Sequence, residues 1–349
     1  MKKIAIITIT DNTNYGNRLQ NYAMETFLEN LSQDLCVETI WGTESFKRKI
    51  KHFIYKLFNF VPKCRRYNKF KKFSENETHI LKKEYTEKVM NKFDYIIVGS
   101  DQIWNFKWQL SKNEFIVNMP KEKMISYAAS FGVNNIEIKD MEKYKKVLNN
   151  INYISVREDR GKEIVEKLIS RHDISVLIDP TMLINSDEWI KIMKKPNKLK
   201  FSNKKYILNY FLGDVSDEIK SKIENIAYKN DCQIIDLLDE KDVLFDSDPY
   251  EFLFLEKNAF LICTDSFHSC VFSILFETPF LVFERQDRED KMNSRIDTLL
   301  NKFKLENRRF KGNFSEELLK CDYTETKKIL KMEQQRSIEF LRKALDIEK

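Results

Sequence analysis

The chain alternates short apolar runs, each about the length of a β-strand, with longer stretches in which apolar residues recur at helical spacing. The first apolar run covers residues 3–10, and a helical pattern over 18–31 follows it after a polar loop. Later runs end at Val98, Ala128 and Val156, and polar residues follow each of them. This alternation is typical of an α/β fold with parallel sheets. Because such sheets bind ligands at the carboxyl ends of their strands, the polar residues there are the candidates for chemistry.

A second series of apolar runs begins near Val176 and predicts a second sheet. We therefore expect two Rossmann-like domains, an N-terminal one over 1–172 and a C-terminal one over 173–323. The last stretch, 324–349, is predicted to form a closing helix packed on one or both domains. Its apolar residues follow approximately helical spacing, at Ile329, Met332, Ile338, Leu341 and Leu345.

Composition narrows the class of protein. Of the 349 residues, 42% are hydrophobic and 33% are charged, a balance that excludes disorder of the whole chain. No apolar run approaches the roughly 20 residues that cross a bilayer, and the N-terminus lacks the pattern of a signal peptide. The six cysteines form no CxxC pair and only four histidines occur, which argues against a structural zinc site and against a disulfide framework. We predict a cytoplasmic protein without a bound metal.

The net charge of +6 is concentrated in one segment. Residues 44–73 hold 11 basic residues and one acidic residue, a net of +10, so the remaining chain carries −4. Within this basic segment, apolar residues recur in steps of 4, 3, 4 and 4, at Phe46, Ile50, Phe53, Leu57 and Val61. This spacing predicts an amphipathic helix with a cationic face. It can pack on the N-terminal domain with its lysines solvated, or contact an anionic membrane through 46–72. Nucleic acid is a third partner, but no recognised binding module accompanies the charge.

One segment combines a strand, a polar turn and a helix around a histidine. An apolar strand ends at Cys263, His268 follows in the turn, and an apolar helix begins at once. The free N–H groups at the start of a helix favour an anion, so His268 with Ser266 and Ser269 can hold a phosphate or a carboxylate. From position alone, the alternative is a histidine that only caps the helix.

Seven short segments in this sequence resemble the polysaccharide pyruvyl transferase family: NYGNRLQNYA at 14–23, GSDQIWN at 99–105, SYAASFG at 126–132, SVREDR at 155–160, IDPTM at 178–182, TDSFH at 264–268 and MNSRIDTLL at 292–300. The resemblance covers nearly the whole chain. It implies a GT-B-like fold, in which two Rossmann-like domains face each other across a cleft. Characterised members transfer a pyruvyl group from phosphoenolpyruvate onto two hydroxyls of a sugar and form a cyclic ketal. The resemblance therefore implies phosphoenolpyruvate as donor, no further cofactor, and a glycan or lipid-linked oligosaccharide as acceptor.

That reaction places demands on the site. Phosphoenolpyruvate carries a phosphate and a carboxylate, so the site needs cationic or N–H contacts and an acid/base that protonates the enol carbon. His268 resembles the essential histidine of the family, as acid/base or phosphate contact, and Arg157 resembles its substrate-binding arginine. The alternative for Arg157 is a surface arginine paired with Glu158 or Asp159.

A further cation is expected after the next strand. Arg288 lies 20 residues beyond His268, about where some members of the family carry a lysine, and Arg285 and Arg295 are rivals for that role. The sequence also departs from the family, because many members have Arg-Leu-His where this chain has Ser266-Phe-His. The missing arginine removes an anion contact, so another cation replaces it or the donor differs.

Two segments of the N-terminal domain are candidates for binding. Gly16 and Asn17 lie in a turn before a helix, where glycine permits a positive φ or the close approach of a ligand. Asp101, Gln102 and Trp104 follow a strand in an order that suits sugar recognition, since carboxylate and amide groups bind hydroxyls and an indole stacks on a pyranose. Asp101 is the candidate for activating an acceptor hydroxyl. The alternative is a core tryptophan and an aspartate that caps a helix.

The resemblance implies a transferase that moves a pyruvyl group from phosphoenolpyruvate to a sugar of a surface polysaccharide or of its lipid-linked precursor. One rival is a GT-B glycosyltransferase that uses a nucleotide sugar. The other is a non-catalytic glycan-binding protein, motivated by Ser266 in place of the arginine. No GxGxxG motif occurs, so nicotinamide binding has no support. Asp179 and Pro180 are predicted to form only a structural turn.

Overall fold

The first of two parallel sheets lies in the N-terminal half. The computed structural model describes residues 1–43, 46–105, 114–199, 204–285, 294–312 and 314–348. In chain order the strands of this sheet are β1 (Lys2–Ile7), β2 (Leu35–Trp41), β3 (Ile80–Lys82), β4 (Tyr95–Asp101), β5 (Met124–Ala129), β6 (Tyr153–Val156) and β7 (Ser175–Val176). Their spatial order is β3-β2-β1-β4-β5-β6-β7, with parallel neighbours throughout. Ile96, Ile97 and Val98 in the centre of β4 are fully buried, as expected for a sheet covered on both faces.

The second sheet lies in the C-terminal half and is also parallel. Its strands are β8 (Lys205–Tyr210), β9 (Cys232–Asp236), β10 (Leu261–Thr264) and β11 (Phe280–Val282), in the spatial order β11-β10-β8-β9. From β8 the chain turns to β9 on one side and later to β10 on the other, where Cys263 lies beside Asn209. Strand order reverses at this point, which is where open α/β sheets form a ligand crevice. The two sheets confirm the predicted α/β, GT-B-like fold.

Helices pack on both sheets. In chain order they are α1 (Tyr15–Leu31), α2 (Phe46–Leu57), α3 (Pro62–Glu77), α4 (Glu87–Met90), α5 (Ile138–Asn149), α6 (Asp159–Ile169), α7 (Ser186–Ile192), α8 (Asp217–Lys229), α9 (Pro249–Asn258), α10 (Phe267–Phe276), α11 (Ser294–Lys302) and α12 (Thr324–Ala344). The local sequence explains where α9 begins. Proline is the first residue of α9, and Asp248 and Glu251 form a reciprocal capping box there. None of the described helices is long and apolar enough to cross a membrane.

Helix α1 connects the two halves. The Tyr15 ring stacks on Phe252 of α9 with ring centroids 4.2 Å apart, and its hydroxyl donates a hydrogen bond to the Ser247 carbonyl at 2.8 Å. One continuous apolar cluster contains residues of both halves, among them Leu19 and Phe272. The halves therefore share a core along α1, and they do not meet only through polar surface contacts.

Helix α3 forms a second connection between the two halves. Several cations of the predicted basic segment lie on this helix and pair with residues of the C-terminal half. Arg65 pairs with Asp246, and Lys69 pairs with Glu251 at 3.0 Å, both across to the C-terminal half. Arg66 is buried and donates to the Phe245 carbonyl, and its guanidinium lies 4.6 Å from the ring centre of Tyr15. Cation–π contact and carbonyl acceptors together satisfy this buried charge. Three cations of α3, Arg65, Arg66 and Lys69, thus hold the halves together and are not solvated lysines of a free polar face.

The structure corrects the predicted helix of the basic segment. The chain forms two helices, because Pro62 begins α3 and Val61 before it has extended backbone. Val61 is therefore not part of the apolar face of α2. Residues 44 and 45 and the side chains of 46–49 lie outside the described part of the structure. The described apolar face of α2 consists of Ile50, Phe53, Ile54 and Leu57, all exposed.

Helix α12 closes the fold against both halves. Phe340 packs against Tyr127, with ring centroids 6.2 Å apart, and Gln334 donates to the Met182 carbonyl at 2.8 Å. On the other half, the Thr326 hydroxyl donates to the Phe303 carbonyl at 3.1 Å. Met332 was placed on the apolar face by its spacing, but this is wrong, since its side chain is exposed.

One strand lies in a different sheet from the predicted one. The apolar run at Val176 was expected to begin the second series, but β7 pairs with β6 through Val156 and Val176. The first sheet therefore extends past residue 172, the predicted end of the N-terminal domain. An apolar run of this length carries no information on which sheet it joins, because the partner strand is decided by tertiary packing.

Candidate functional site

Side chains from both halves meet at the carboxyl ends of the strands. Asp101 is the last residue of β4, and Arg157 directly follows β6 in the same sheet. The Nη2 of Arg157 donates to Oδ1 of Asp101 at 2.9 Å, and both side chains are buried. Asp101 has a positive φ of 57°, which a residue other than glycine rarely adopts. The surface pairing of Arg157 with Glu158 or Asp159 is therefore wrong, and the arginine is an internal cation.

Asp179 is the residue that the sequence analysis missed. It was assigned to a structural turn, and it does cap the short helix that starts at Pro180, because its side chain accepts from the Thr181 N–H at 3.1 Å. Its other oxygen, however, accepts from Nη1 of Arg157 at 2.7 Å and from the Ser100 hydroxyl at 2.8 Å. The only signal in the sequence was an aspartate directly after an apolar run, at a strand-like end.

His268 comes to this cluster from the C-terminal half. It is the second residue of α10, and its Nε2 lies 3.7 Å from Oδ2 of Asp179, an ion-pair contact longer than a hydrogen bond. Only 6% of the histidine is exposed. The preceding residue, Phe267, places its ring centre 4.2 Å from the Arg157 guanidinium carbon. The structure thus unites the predicted Asp101, Arg157 and His268 around the unpredicted Asp179.

The charges in this cluster alter one another. Burial alone would raise the pKa of Asp179, but His268 and Arg157 outweigh it and hold that pKa well below its ordinary value. Burial likewise opposes ionisation of Asp101, yet the adjacent Arg157 and other cations keep its pKa lowered. Both carboxylates are therefore ionised at neutral pH. A carboxylate with a lowered pKa is a weak base, which speaks against Asp101 as the group that takes a proton from an acceptor hydroxyl.

Arg295 on α11 is a second buried cation of the cluster, and its hydrogen-bond donors are only partly paired. Its Nη1 lies 3.8 Å from Asp101, and the Gln102 amide oxygen, oriented toward it, accepts from both terminal nitrogens at 3.1 Å. Its Nε is buried without a hydrogen-bond partner, as is the Nε of Arg157. Burial, together with the like charge of Arg157, lowers the pKa of Arg295 to about 10. A bound anion would relieve this unfavourable environment.

The other two predicted cations, Arg288 and Arg285, are not shown to belong to this cluster. Arg288 lies outside the described residues, so its predicted role stays a prediction. Arg285 is engaged with the carboxylate of Asp265, 3.0 Å from its Nε. That carboxylate also accepts from the N–H groups of Leu212 and Gly213 after β8. Arg285 therefore braces the loop at the crevice of the second sheet.

The two serines around His268 have structural roles in the structure. Ser266 caps α10 by accepting from the Ser269 N–H, as its position predicts. The Ser269 hydroxyl donates to Oε1 of Glu256 at 2.7 Å. Burial raises the pKa of Glu256 well above its ordinary value, and this hydrogen bond offsets only part of the effect. The prediction that the Ser269 side chain contacts an anion is wrong, since it faces the buried Glu256.

Trp104 is also corrected. It is fully buried in the apolar cluster of the first sheet, and its Nε1 donates to the Ser126 hydroxyl at 3.3 Å. A buried indole has no free face for a pyranose ring, so the core alternative is the right one. The Asn17 amide is engaged within the chain, because it donates to the Asp11 carboxylate in the loop before α1.

Gly16 explains why α1 and α10 can approach so closely. A Cβ built on Gly16 would lie 2.0 Å from Nδ1 of His268, a distance that no side chain tolerates. The glycine belongs to the first turn of α1 in one half and the histidine to the first turn of α10 in the other. The backbone of the N-terminal half therefore forms one wall of the histidine site. Gly16 does not have a positive φ. Of the two predicted reasons for a glycine here, close approach of a neighbouring group is therefore the one that the structure shows.

We expect Gly16→Ala to displace His268 and to destabilise the fold by about 1–3 kcal/mol, as overpacking typically does. Urea unfolding followed by circular dichroism measures this change. Gly161→Ala is the matched control, because Gly161 also lies in the first turn of a helix and its built Cβ first meets an atom at 3.3 Å. Equal stability of Gly16→Ala and the natural chain would contradict the contact.

No group of three or more histidine, cysteine, aspartate or glutamate side chains among the described residues has the arrangement of a metal site. The arrangement that is present joins two buried arginines, two ionised aspartates and an imidazole. Such a cluster can bind an anion through its arginines and exchange a proton through the imidazole.

Comparison with known proteins gives one family and several distant structures. The family model described as polysaccharide pyruvyl transferase matches residues 14–287, most of the chain. No curated protein matches the sequence significantly. The UDP-GlcNAc 2-epimerase from Neisseria meningitidis bound to UDP-GlcNAc is 13% identical, with 99% of this chain and 94% of that chain covered and a TM-score of 0.49.

Two further solved structures are similarly distant in sequence. The UDP-GlcNAc 2-epimerase from Methanocaldococcus jannaschii is 15% identical, with 95% of this chain and 99% of that chain covered and a TM-score of 0.46. The ADP-heptose lps heptosyltransferase II of E. coli is 10% identical, with 96% and 99% covered and a TM-score of 0.34. Likenesses this distant carry no argument about ligand or reaction.

Proposed function

Since this chain belongs to the polysaccharide pyruvyl transferase family, we propose that it moves a pyruvyl group from phosphoenolpyruvate to a sugar of a surface polysaccharide or of its lipid-linked precursor. The observation that carries the proposal is the pair of buried arginines beside His268. Arg295 and Arg157 each keep a buried Nε without a partner, and the charge of Arg295 is poorly compensated. The phosphate and carboxylate of the donor offer acceptor oxygens for these unpaired nitrogens.

The proposed reaction makes three bonds at the donor, one C–H and two C–O, and breaks its C=C double bond and its bond to phosphate. A proton from His268 adds to the methylene carbon of phosphoenolpyruvate, and the central carbon becomes electrophilic. The first sugar hydroxyl forms a C–O bond there, and the second hydroxyl forms the next as the bond to phosphate breaks. Of the two hydroxyl protons, one replaces the proton that His268 gave and the other leaves with phosphate. His268 thus acts first as general acid and then as general base.

Arg157 and Arg295 are proposed to hold the anionic groups of the donor. This assignment places the missing arginine of the Ser266-Phe-His triplet in a different element, because Arg295 reaches the same cluster from α11. The donor identity stays the predicted one, and no second donor is needed to explain Ser266. Asp101 is proposed to position Arg157 and Arg295 and not to activate the acceptor.

The donor assignment is tested by thermal unfolding with phosphoenolpyruvate, with UDP and with neither. We expect phosphoenolpyruvate to raise the melting temperature and UDP to leave it unchanged, because only a ligand that binds the folded state stabilises it. Phosphate release from phosphoenolpyruvate with a panel of lipid-linked and synthetic glycosides then measures the reaction. Stabilisation by UDP alone would favour the glycosyltransferase rival. Glycan binding without either donor would favour the non-catalytic one.

We also propose that the protein contacts the inner face of an anionic membrane through its basic segment, with α2 as the contacting part. The apolar face of α2 is turned to solvent, with Phe53 64% exposed, and Phe60 beyond the helix is 73% exposed. The opposite side holds α2 on α3, since Tyr55 packs edge-to-face on Tyr67 with ring centroids 5.1 Å apart. An amphipathic helix that presents its apolar face outward has an unburied surface of the kind that lies in a lipid interface.

Charge supports a lipid surface as the occupant of this face. No acidic residue occurs between residues 45 and 74, so the sequence around the apolar face is wholly basic. Each lysine or arginine near an anionic leaflet contributes about 1 kcal/mol, and burial of one phenylalanine side chain contributes about 1.5–3 kcal/mol. Contact at this site would place the transferase beside a lipid-linked acceptor.

Flotation with liposomes of phosphatidylcholine alone or mixed with phosphatidylglycerol tests this contact. We expect recovery with the anionic vesicles only, a decrease at high salt, and a marked loss in the double variant Phe53→Ser, Leu57→Ser. Val243→Ser, at an exposed apolar residue outside the segment, is the control and should float like the natural chain. Equal recovery with both lipids, or self-association through α2 without lipid, would overturn the proposal.

A further inference from the structure

The carboxylate of Asp179 is the point at which the catalytic candidates meet. Its Oδ1 accepts from the Thr181 N–H and hydroxyl, at 3.1 and 2.7 Å. Its Oδ2 accepts from Arg157 and Ser100 and faces the Nε2 of His268 at 3.7 Å. The aspartate is 1% exposed. Four hydrogen bonds hold this carboxylate in place, so it can fix the orientation of the imidazole beside it.

The two ring nitrogens of His268 have different surroundings. Nε2 is buried and has no hydrogen-bond partner, and Oδ2 of Asp179 is the acceptor that it faces. Nδ1 lies on the side of the first turn of α1, where the backbone of Gly16 approaches the ring. Because Gly16 carries no side chain, its backbone packs directly against this side of the ring. The asymmetry assigns a different task to each nitrogen.

We propose that Asp179 is a positioning residue that holds the His268 imidazole with its proton on Nε2, so that Nδ1 is the atom that exchanges protons with the bound donor. The role of Nδ1 rests on the proposed pyruvyl transfer, whereas the orientation by Asp179 does not. An ionised carboxylate beside one ring nitrogen fixes the tautomer and the ring plane in the same way as the outer partner of a metal-bound or catalytic histidine.

The neighbouring charges are compatible with this arrangement. Arg157 donates to the same Oδ2 of Asp179 that faces the histidine, and it is held in turn by Asp101. Arg295 faces Asp101 and Gln102. Asp179 is thus the anion of the cluster that lies against Nε2.

Nitrogen-15 NMR of the four histidines tests the orientation without any substrate. In the natural chain we expect a directly observed N–H correlation at Nε2 of His268, because a buried proton facing a carboxylate exchanges slowly with water, and an unprotonated Nδ1. His79 and His172 have side chains 66% and 84% exposed, so their ring protons should exchange too fast to be seen. His268→Gln identifies the signal by its loss. A protonated Nδ1 with a bare Nε2 would overturn the proposal.

Asp179→Asn tests whether the aspartate is responsible. We expect the Nε2–H signal to disappear, and Asp173→Asn, at an exposed aspartate paired with Arg171, to leave it unchanged. A folded Asp179→Asn protein with the signal intact would overturn the proposal. If that variant does not fold, the tautomer of the natural chain decides alone. Since no step needs a substrate, a protein that shows the tautomer but no ketal formation contradicts only the proposed function.

Discussion

Replacing His268 with alanine is expected to lower the rate of phosphate release from phosphoenolpyruvate by about 10²–10⁴-fold, the usual contribution of one general acid–base group. The imidazole is the proposed proton-exchanging group of the described cluster, because both aspartates are ionised and both arginines stay charged. Alanine suits its place in α10, so the fold should persist. Phosphate release with an acceptor glycoside measures the loss, and circular dichroism confirms folding.

The control for this variant is another histidine outside the site. His172→Ala changes an exposed side chain near the end of the N-terminal half and should leave the rate unchanged. A folded His268→Ala protein with an undiminished rate would remove the histidine from the mechanism. The arginine site for the donor would then still stand, because the thermal shift with phosphoenolpyruvate reports on it separately.

The variant Arg157→Met should destabilise the protein by about 3–5 kcal/mol, the range found when one partner of a buried ion pair is removed. Methionine keeps much of the apolar contact with Phe267 but leaves Asp101 and Asp179 buried without their shared cation. Burial alone would lower the pKa of Arg157, yet the two aspartates raise it above its ordinary value, so the charge is present throughout the accessible pH range. Urea unfolding at neutral pH gives the free energy of unfolding.

Two further variants sharpen this prediction. Arg157→Lys keeps the charge but replaces a planar fork by a single nitrogen, so it should recover part of the stability and not the bridging geometry. Lys191→Met breaks an exposed pair with Glu188 and should change stability little. Stability of Arg157→Met within the error of the natural chain would show that the two aspartates do not depend on this arginine.

The sequence predicted the local parts of the site well. A strand, a polar turn and a helix around His268 are consecutive in the chain, so apolar patterning is enough to place the histidine at the start of a helix. The same holds for Arg157 after β6 and Asp101 at the end of β4. Each of these positions depends on the order of residues within one strand and its turn, which a single sequence displays.

The parts that failed depend on contacts between distant residues. Asp179 lies 22 residues from Arg157 and 89 from His268, and nothing near it in the chain distinguishes a capping aspartate from one that also joins this cluster. Trp104 and Ser269 looked available because polar neighbours surround them in the sequence, whereas packing buries both. Helical spacing predicted α2 but could not show that the described apolar side chains of its face are exposed.

The basic stretch of the chain combines two surfaces that evolution should treat differently. Under the proposed membrane contact, lysine and arginine, or leucine and isoleucine, should be interchangeable on α2, because a lipid surface has no fixed geometry. On α3, Arg66 must meet a carbonyl and the Tyr15 ring at set distances, and Arg65 and Lys69 must reach particular carboxylates of the other half. Among relatives, the sequence of α2 is therefore expected to vary faster than the sequence of α3, although both helices belong to one charged segment.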